Sequence, residues 1–168
     1  MSLDFSVSDV IPATPQAIYD AWLDSKGHAG ITGGQPATCS AVVGGAFTVW
    51  NGFITGRNLA LEPGKRIVQS WRTTRFVESD PDSEIEVLLE PVPGGTRITV
   101  NHRSVPDGHT SYRDGGWQRS YFDPMKKYLG PKPRPKRLAQ PKRKTKTATK
   151  GRGRKVARRA TRRKRRRS

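Results

Sequence analysis

The sequence lacks acidic residues beyond Asp123 and lacks tryptophan, tyrosine and phenylalanine beyond Tyr128. Residues 1–129 hold 12 Lys and Arg against 14 Asp and Glu, which gives a net charge of −2. Residues 130–168 hold 20 Lys and Arg and no acid, a net of +20, so the two parts together account for the +18 of the 168-residue chain. This division excludes a uniformly basic domain and describes a nearly neutral body followed by a polycationic segment.

The polycationic segment also has little apolar surface. Its only sizeable apolar side chains are those of Leu138 and Val156. A segment that buries so little cannot offset the entropy cost of ordering its backbone, so we expect residues 130–168 to be disordered when unbound. Residues 1–129 are long enough for one packed domain and too short for two. The sequence therefore predicts a domain over 1–129 and a disordered basic tail over 130–168.

Long apolar runs, a leader pattern and paired cysteines are also missing. No run approaches the roughly 18 residues of a membrane-spanning helix. The N-terminal residues form neither a basic region nor an apolar stretch, so we expect no secretory signal. The single cysteine, Cys39, cannot form an intramolecular disulfide, which is typical of a reducing compartment. We therefore expect a cytoplasmic protein, associated with the nucleoid or with other nucleic acid if the tail binds it.

No motif for metal binding, cofactor binding or catalysis is visible. The three histidines, His28, His102 and His109, share no ligand spacing with each other or with Cys39. Cys39 lies in a predicted strand, where a small buried hydrophobic side chain is a simpler interpretation than a nucleophile. The sequence therefore predicts no metal, no cofactor and no catalytic residue, with an enzyme kept as an alternative.

The periodicity of the apolar residues defines most of the elements. The first residues alternate apolar and polar side chains, as in a half-buried strand. Thr14 and Pro15 then have the pattern of a helix start, with Thr14 as N-cap. From Thr38 to Val105 the apolar period is two, and turns rich in glycine divide this segment into about six antiparallel strands. One of the predicted strands covers 39–43, and the Asn-Gly pair at 51–52 indicates a hairpin turn.

The end of the body returns to the helical period. Pro124 lies within this helix, where it removes a hydrogen bond and clashes with the carbonyl four residues earlier, which predicts a kink near Ser120 or a break at Asp123. A curved antiparallel sheet must cover its apolar face, so we predict an α+β fold with six to seven strands wrapped on this C-terminal helix. The apolar stripe of the helix is formed by Trp117, Tyr121, Met125 and Leu129.

Several short stretches match a known family in this same order. They are PATPQAIYDAW at 12–22, NGFITG at 51–56, LEPGKRIVQSWR at 61–72, GTRITV at 95–100, and GW at 116–117 followed by YL at 128–129. With the order of elements, they resemble the START-like (SRPBCC) superfamily and its helix-grip fold. More narrowly, they resemble the domain named for the activator of the heat-shock protein 90 ATPase. The resemblance covers roughly residues 5–129 and leaves the tail outside.

The resemblance implies a binding domain for a hydrophobic small molecule or a protein partner, with a cavity between helix and sheet. Two alternatives stay open: a cyclase- or hydratase-like enzyme with an inward-facing polar pair, and a co-chaperone that stimulates an ATPase. The same aromatic side chains would also fill the core of any such fold. The candidates for lining the cavity are Trp22, Phe47, Trp71, Trp117 and Tyr121.

The tail has the clearest functional signal in the sequence. It has no aromatic residue for base stacking and no rigid element to read base edges, so it offers phosphate neutralisation with counterion release. We therefore predict sequence-independent binding to DNA or RNA, with an anionic membrane surface or simple solubilisation as alternatives. The nucleic-acid-binding candidates are Lys142, Arg143, Lys144, Arg152, Arg154, Lys155, Arg158, Arg159, Arg162, Arg163, Lys164, Arg165, Arg166 and Arg167.

Overall fold

The structure, a computed structural model, describes residues 1–132, and the predicted tail disorder lies outside this range. The strands are β1 Ser2–Ile11, β2 Ala37–Thr38, β3 Ala46–Val49, β4 Ile54–Glu62, β5 Arg66–Thr73, β6 Ser83–Val92 and β7 Gly95–Pro106. The helices are α1 Pro15–Leu23, α2 Ser25–Ile31, a 3-10 turn at Thr110–Tyr112, a π-helical turn at Gln118–Phe122, and α3 Asp123–Leu129. The strands form one antiparallel sheet in the order β1-β7-β6-β5-β4-β3-β2, which confirms the predicted α+β fold.

The N-terminal strand and the first helix follow the sequence pattern. β1 ends at Ile11 and pairs with β7. The Thr14 side chain accepts a hydrogen bond from the backbone N–H of Ala17 at 3.2 Å, which confirms Thr14 as the N-cap of α1. Asp24 ends α1 and caps α2, because its carboxylate accepts from the Gly27 N–H at 2.7 Å. A single residue thus makes the sharp corner between the two helices.

The strand predicted over 39–43 is wrong, because this segment is a loop that follows the two-residue strand β2. The side chain of Asn58 in β4 donates to the carbonyls of Ser40 and Val42, at 2.7 and 3.0 Å. Those carbonyls are therefore satisfied by a side chain rather than by a strand ladder. The alternating apolar pattern of the loop does not reflect burial, since Val42 is 63% exposed.

A chain of buried amide hydrogen bonds connects this loop to the first helix. The indole N–H of Trp22 donates to the Gln69 side-chain oxygen at 3.0 Å, and the Gln69 amide donates to the Asn58 side-chain oxygen at 2.8 Å. All three side chains are almost completely buried. Because these three side chains satisfy one another by hydrogen bonds, they can be buried at little cost. The hydrogen bonds also connect α1 to β5 and β5 to β4.

Gly56 occupies the closest approach between neighbouring strands. It lies opposite Phe47 in the β3–β4 ladder. A Cβ atom at this position would lie 1.9 Å from the Ser70 carbonyl oxygen and 2.7 Å from the Phe47 ring. Only glycine fits there without moving the backbone of β5.

The C-terminal helix accommodates Pro124 through a change in hydrogen bonding. The backbone N–H of Asp123 bonds to the carbonyl of Gln118, five residues earlier, in a π-helical turn that contains Ser120. The helix then continues through α3, since Asp123 keeps helical torsion angles, so a break at Asp123 is wrong. The irregularity lies where the proline would otherwise clash with the carbonyl of Ser120.

Charged pairs are found on the half-exposed side of β6. Glu86 accepts from Arg66 at 2.7 Å, from Arg103 at 3.1 Å and from the Asn101 amide at 3.0 Å. These contacts hold the pKa of Glu86 below its usual range, with the Asn101 hydrogen bond as the largest cause.

None of the helices within residues 1–132 is long and apolar enough to cross a membrane.

Candidate functional site

An aromatic cluster lies between β5 and the C-terminal helix. The ring of Trp71 in β5 packs edge-on against Tyr112 at 5.1 Å and lies 6.0 Å from the ring of Trp117. Trp117 lies 4.7 Å from Tyr121, and Trp50 packs against Tyr121 from the other side at 5.7 Å. Because each ring contacts the next, the cluster forms a continuous apolar wall rather than isolated contacts.

A pocket of about 230 Å³ opens beside this cluster. Six of its lining residues are aromatic: Trp50, Phe53, Trp71, Tyr112, Trp117 and Tyr121. The others are Arg75, Ser111, Gly116, Arg119 and Ser120. No carboxylate, histidine or cysteine is among these lining residues, so the pocket combines aromatic surface with positive charge and with serine and tyrosine hydroxyls.

The β3–β4 hairpin positions two of the aromatic residues. Trp50 and Asn51 have φ angles of 51° and 54°, and Gly52 follows with 87°, so three successive residues have left-handed backbone. This conformation makes the hairpin turn that the Asn-Gly pair predicts. It is uncommon for a large side chain such as tryptophan. The turn holds the Trp50 and Phe53 rings 6.2 Å apart at the mouth of the pocket.

His28 lies behind the pocket and supports Tyr121. Its Nδ1 lies 2.7 Å from the Trp22 carbonyl oxygen, which requires a proton on Nδ1 and leaves Nε2 as an acceptor for the Tyr121 hydroxyl at 3.4 Å. Burial lowers the pKa of His28 to about 4, and burial also raises the pKa of Tyr121. Both groups are therefore neutral at physiological pH and act as fixed dipoles.

His102 and Ser83 are hydrogen-bonded at 2.9 Å, a distance that would suit a nucleophile and its base. The Trp117 indole N–H, however, donates to Nδ1 of His102 at 3.3 Å, so the proton of the neutral ring is on Nε2 and points at Ser83. The Ser83 hydroxyl in turn donates to the Trp71 carbonyl at 2.7 Å. The ring nitrogen facing the serine cannot accept its proton, and burial lowers the pKa of His102 to about 3. The pair is therefore structural, and it anchors Trp117.

Trp71 has one polar atom without a partner. Its indole N–H is buried and forms no hydrogen bond of good geometry within residues 1–132. An unsatisfied buried N–H is uncommon. Trp71 also lines the pocket, so this unpaired donor lies at the site rather than in the distant core.

The structure separates the five predicted cavity residues into two groups. Trp71, Trp117 and Tyr121 line the pocket. Trp22 and Phe47 are buried in the core, where Trp22 is occupied by its hydrogen bond to Gln69, and neither lines the pocket. The two residues therefore do not contribute to this pocket, because a buried aromatic at the right period can face either the core or the pocket. The nucleic-acid-binding candidates from Lys142 to Arg167 lie outside the described residues.

The sequence interpretation missed several pocket residues. Trp50 and Phe53 flank the predicted Asn-Gly turn, and that flanking position was the signal that could have identified them. Arg75 lies in the connection after β5, Tyr112 in the 3-10 turn and Arg119 in the π-helical turn. In such segments the apolar period does not indicate which side chains face the pocket.

Cys39 has no properties of a reactive thiol. It lies in the loop after β2, half-buried, and burial raises its pKa to about 11. A protonated thiol is a poor nucleophile at neutral pH. Across residues 1–132 no group of three or more His, Cys, Asp or Glu side chains is arranged to hold a metal ion.

The antiparallel sheet, the helix packed on it and the aromatic pocket between them define a START-like domain of the helix-grip type. The sequence profile described as "Activator of Hsp90 ATPase homolog 1-like protein" matches residues 12–130. The chain belongs to this family. The match covers the whole region from the end of β1 to the end of α3 and includes every residue of the pocket.

Curated relatives carry the same family description. The chain is 32% identical to the human activator of 90 kDa heat shock protein ATPase homolog 1 over 95 residues, which are 56% of this chain and 28% of the human protein. It is 31% identical to the Dictyostelium discoideum homolog over 86 residues, which are 49% of this chain and 22% of that protein. The chain thus matches about a quarter of the length of these relatives.

Solved structures show the same fold. An HSP90 activator from Plasmodium falciparum superposes with a TM-score of 0.69 at 21% identity, over 76% of this chain and 96% of that chain. A Chromobacterium violaceum protein superposes with a TM-score of 0.62 at 25% identity, over 77% and 98% of the two chains. At such identities the likeness concerns architecture, and activity has to be argued from the site.

Proposed function

We propose that the START-like domain binds a small apolar molecule in its aromatic pocket and that the basic tail holds the domain on nucleic acid, in the cytoplasm. The observation that supports the first part is the set of six aromatic rings around a cavity of about 230 Å³. Ligand pockets are mostly apolar with a few polar groups, and typical volumes are about 300–1,000 Å³. A pocket just below this range suits a ligand of one or two rings.

Binding fits the lining better than catalysis does. General acid–base chemistry needs a titratable group within reach of the reacting atoms. The pocket offers serine and tyrosine hydroxyls and two guanidinium groups, but no carboxylate, imidazole or thiol among its lining residues. The two neutral histidines near it are occupied in hydrogen bonds that fix Tyr121 and Trp117. The cyclase- or hydratase-like alternative therefore gains no support from the geometry.

Methyl 2-naphthyl ketone, a neutral two-ring molecule, is a suitable probe for this pocket in equilibrium dialysis against the full chain. Ser120→Phe replaces a half-buried side chain on the wall with a ring that fills the cavity, so it should abolish binding. Thr48→Phe adds the same bulk at an exposed position of β3 and should leave binding unchanged. Absence of binding, or binding that survives Ser120→Phe, would contradict the proposal.

A protein partner is a second candidate, which family membership favours. The curated relatives are named as activators of a heat-shock protein ATPase, although the matched region is about a quarter of their length. If this chain acts in the same way, it should raise the ATPase rate of a 90 kDa heat-shock protein at saturating concentration. No stimulation by the full chain would dismiss this candidate without affecting the pocket.

The charge of the tail supports the second part of the proposal. Residues 130–168 contain 20 Lys and Arg and no acid, while the body has a net charge of −2, so any attraction to a polyanion comes from the tail. Contacts with about six to ten phosphates would lower affinity by roughly 10³–10⁵ between about 50 and 200 mM salt. Binding of this kind is independent of base sequence.

Fluorescence anisotropy with duplex DNA at several salt concentrations tests the tail. Replacing the six basic residues at 162–167 with Gln should reduce the slope of log affinity against log salt by roughly 5, since each phosphate contact contributes about 0.9. Lys164→Arg keeps the charge and should keep the slope. Affinity that does not depend on salt, or that is unchanged in the neutralised variant, would reject nucleic-acid tethering through this run. RNA and anionic vesicles in the same assay distinguish the other polyanions.

A further inference from the structure

Two arginines on the pocket wall differ from most other arginines of the domain. Arg75 follows β5, and Arg119 lies in the π-helical turn. Neither forms an ion pair with a carboxylate anywhere in residues 1–132. Four other arginines do form such pairs: Arg66, Arg72, Arg103 and Arg113. Arg57 and Arg97 also lack a carboxylate partner among residues 1–132, but of the four unpaired arginines only Arg75 and Arg119 line the pocket.

The surroundings of these two arginines do not neutralise them. No aspartate or glutamate lines the pocket. Asp123 shares a neighbouring surface groove with Arg119, but its carboxylate accepts from the Gln118 amide at 2.7 Å and forms no ion pair with Arg119. Two positive groups beside an aromatic cavity therefore retain unused capacity for an anion.

The position of Arg75 is also fixed by an aromatic contact. Its guanidinium carbon lies 5.6 Å from the centre of the Phe53 ring, within the range of a cation–π interaction. Phe53 itself lines the pocket. A guanidinium that contacts a ring in this way uses none of its N–H donors in the contact, so they remain able to bind a carboxylate through two parallel hydrogen bonds.

We propose that the pocket selects small aromatic molecules that carry a carboxylate or a comparable anionic group, with the ring among the aromatic side chains and the anion held by Arg75 and Arg119. This inference rests on the proposed ligand-binding function and specifies the chemical class of the ligand. A neutral ring would gain the aromatic contacts alone. An aromatic anion would add charge-assisted hydrogen bonds, which are worth about tenfold to a hundredfold in affinity.

The test compares 2-naphthoate with methyl 2-naphthyl ketone, which share the ring and the carbonyl and differ in charge. Equilibrium dialysis of the full chain should give a dissociation constant at least tenfold lower for naphthoate. The double variant Arg75→Gln, Arg119→Gln should remove this advantage, so that the ratio of the two dissociation constants falls to about one. Arg97→Gln removes the same charge from an exposed position of β7 away from the pocket and should keep the advantage.

Each other outcome is decisive. If the ketone binds as tightly as naphthoate, or if the double variant keeps the preference, the inference is overturned while the proposed pocket function stands. Naphthoate binding that survives Ser120→Phe would place the anion elsewhere on this very basic chain and would also overturn it. If neither molecule binds, both the inference and the proposed function fail.

Discussion

Acidification from pH 7 to pH 5 should destabilise the domain through its two fully buried histidines. Burial lowers the pKa of His28 to about 4 and that of His102 to about 3. In the unfolded chain both imidazoles have a pKa near 6.5, so the unfolded state takes up protons in this range while the folded state does not, and stability falls as pH falls. At pH 5 the cost is about 1.5 pH units at about 1.36 kcal/mol each, or about 2 kcal/mol per histidine and about 4 kcal/mol for both.

Denaturant unfolding followed by tryptophan fluorescence at pH 7, 6 and 5 measures this loss. The carboxylates of Asp9 and Glu86, whose pKa values are lowered, take up protons mainly below this window. His28→Asn keeps a donor for the Trp22 carbonyl but cannot titrate, so it should remove about half of the pH dependence. A free energy of unfolding that changes by less than about 1 kcal/mol over this range would refute the reasoning, because it would mean that the histidines are not buried as neutral rings.

Three further predictions concern packing, reactivity and charge. Gly56→Ala should lower the free energy of unfolding by about 3 kcal/mol, because its Cβ would meet the backbone of the next strand. The control Gly33→Ala has open space around the new Cβ but a φ of 85°, so it should cost only about 1 kcal/mol. Equal losses in the two variants would contradict the packing argument. Cys39 should react with iodoacetamide at pH 8 far more slowly than free cysteine, since burial raises its pKa to about 11, and labelling at the free-thiol rate would show that the loop opens. Glu86→Gln should cost about 1 kcal/mol in thermal unfolding, less at high salt, and an unchanged melting temperature would show that its ion pairs contribute nothing.

Elements defined by local signals were predictable from the sequence. The Thr14 cap, the alternating strands and the Asn-Gly hairpin all depend on residues within a few positions of one another. The loop at 39–43 was not predictable in this way, because its carbonyls are satisfied by Asn58, about 16 residues further along the chain. A side chain in a later strand thus decided between two backbone conformations that the local pattern alone could not distinguish.

The site was less predictable than the fold. A residue belongs to the site because its side chain faces the pocket, and residue type alone does not reveal that direction. Trp22 and Trp71 look equivalent in the sequence. In the structure Trp22 lies in the core and donates its indole N–H to Gln69, whereas Trp71 lines the pocket and its indole N–H is unpaired among residues 1–132. Arg75 shows the same limit, since a basic residue after a strand is ordinary on any surface. Its importance comes from the missing carboxylate partner and the contact with Phe53, both of which exist only in three dimensions.

The proline of the C-terminal helix affects both the fold and the pocket. With Pro124 in the helix, the Asp123 N–H bonds to the Gln118 carbonyl, so one turn contains an additional residue. Because each residue of an α-helix advances by about 100°, one added residue rotates the preceding side chains by that angle relative to a regular helix. Arg119, Ser120 and Tyr121 lie in this turn, and all three line the pocket. The residue that interrupts the helical pattern therefore helps to decide which side chains line the pocket. The stripe of period 3.6 predicted Trp117 and Tyr121 but missed Arg119 and Ser120, which the π-helical turn brings to the same wall.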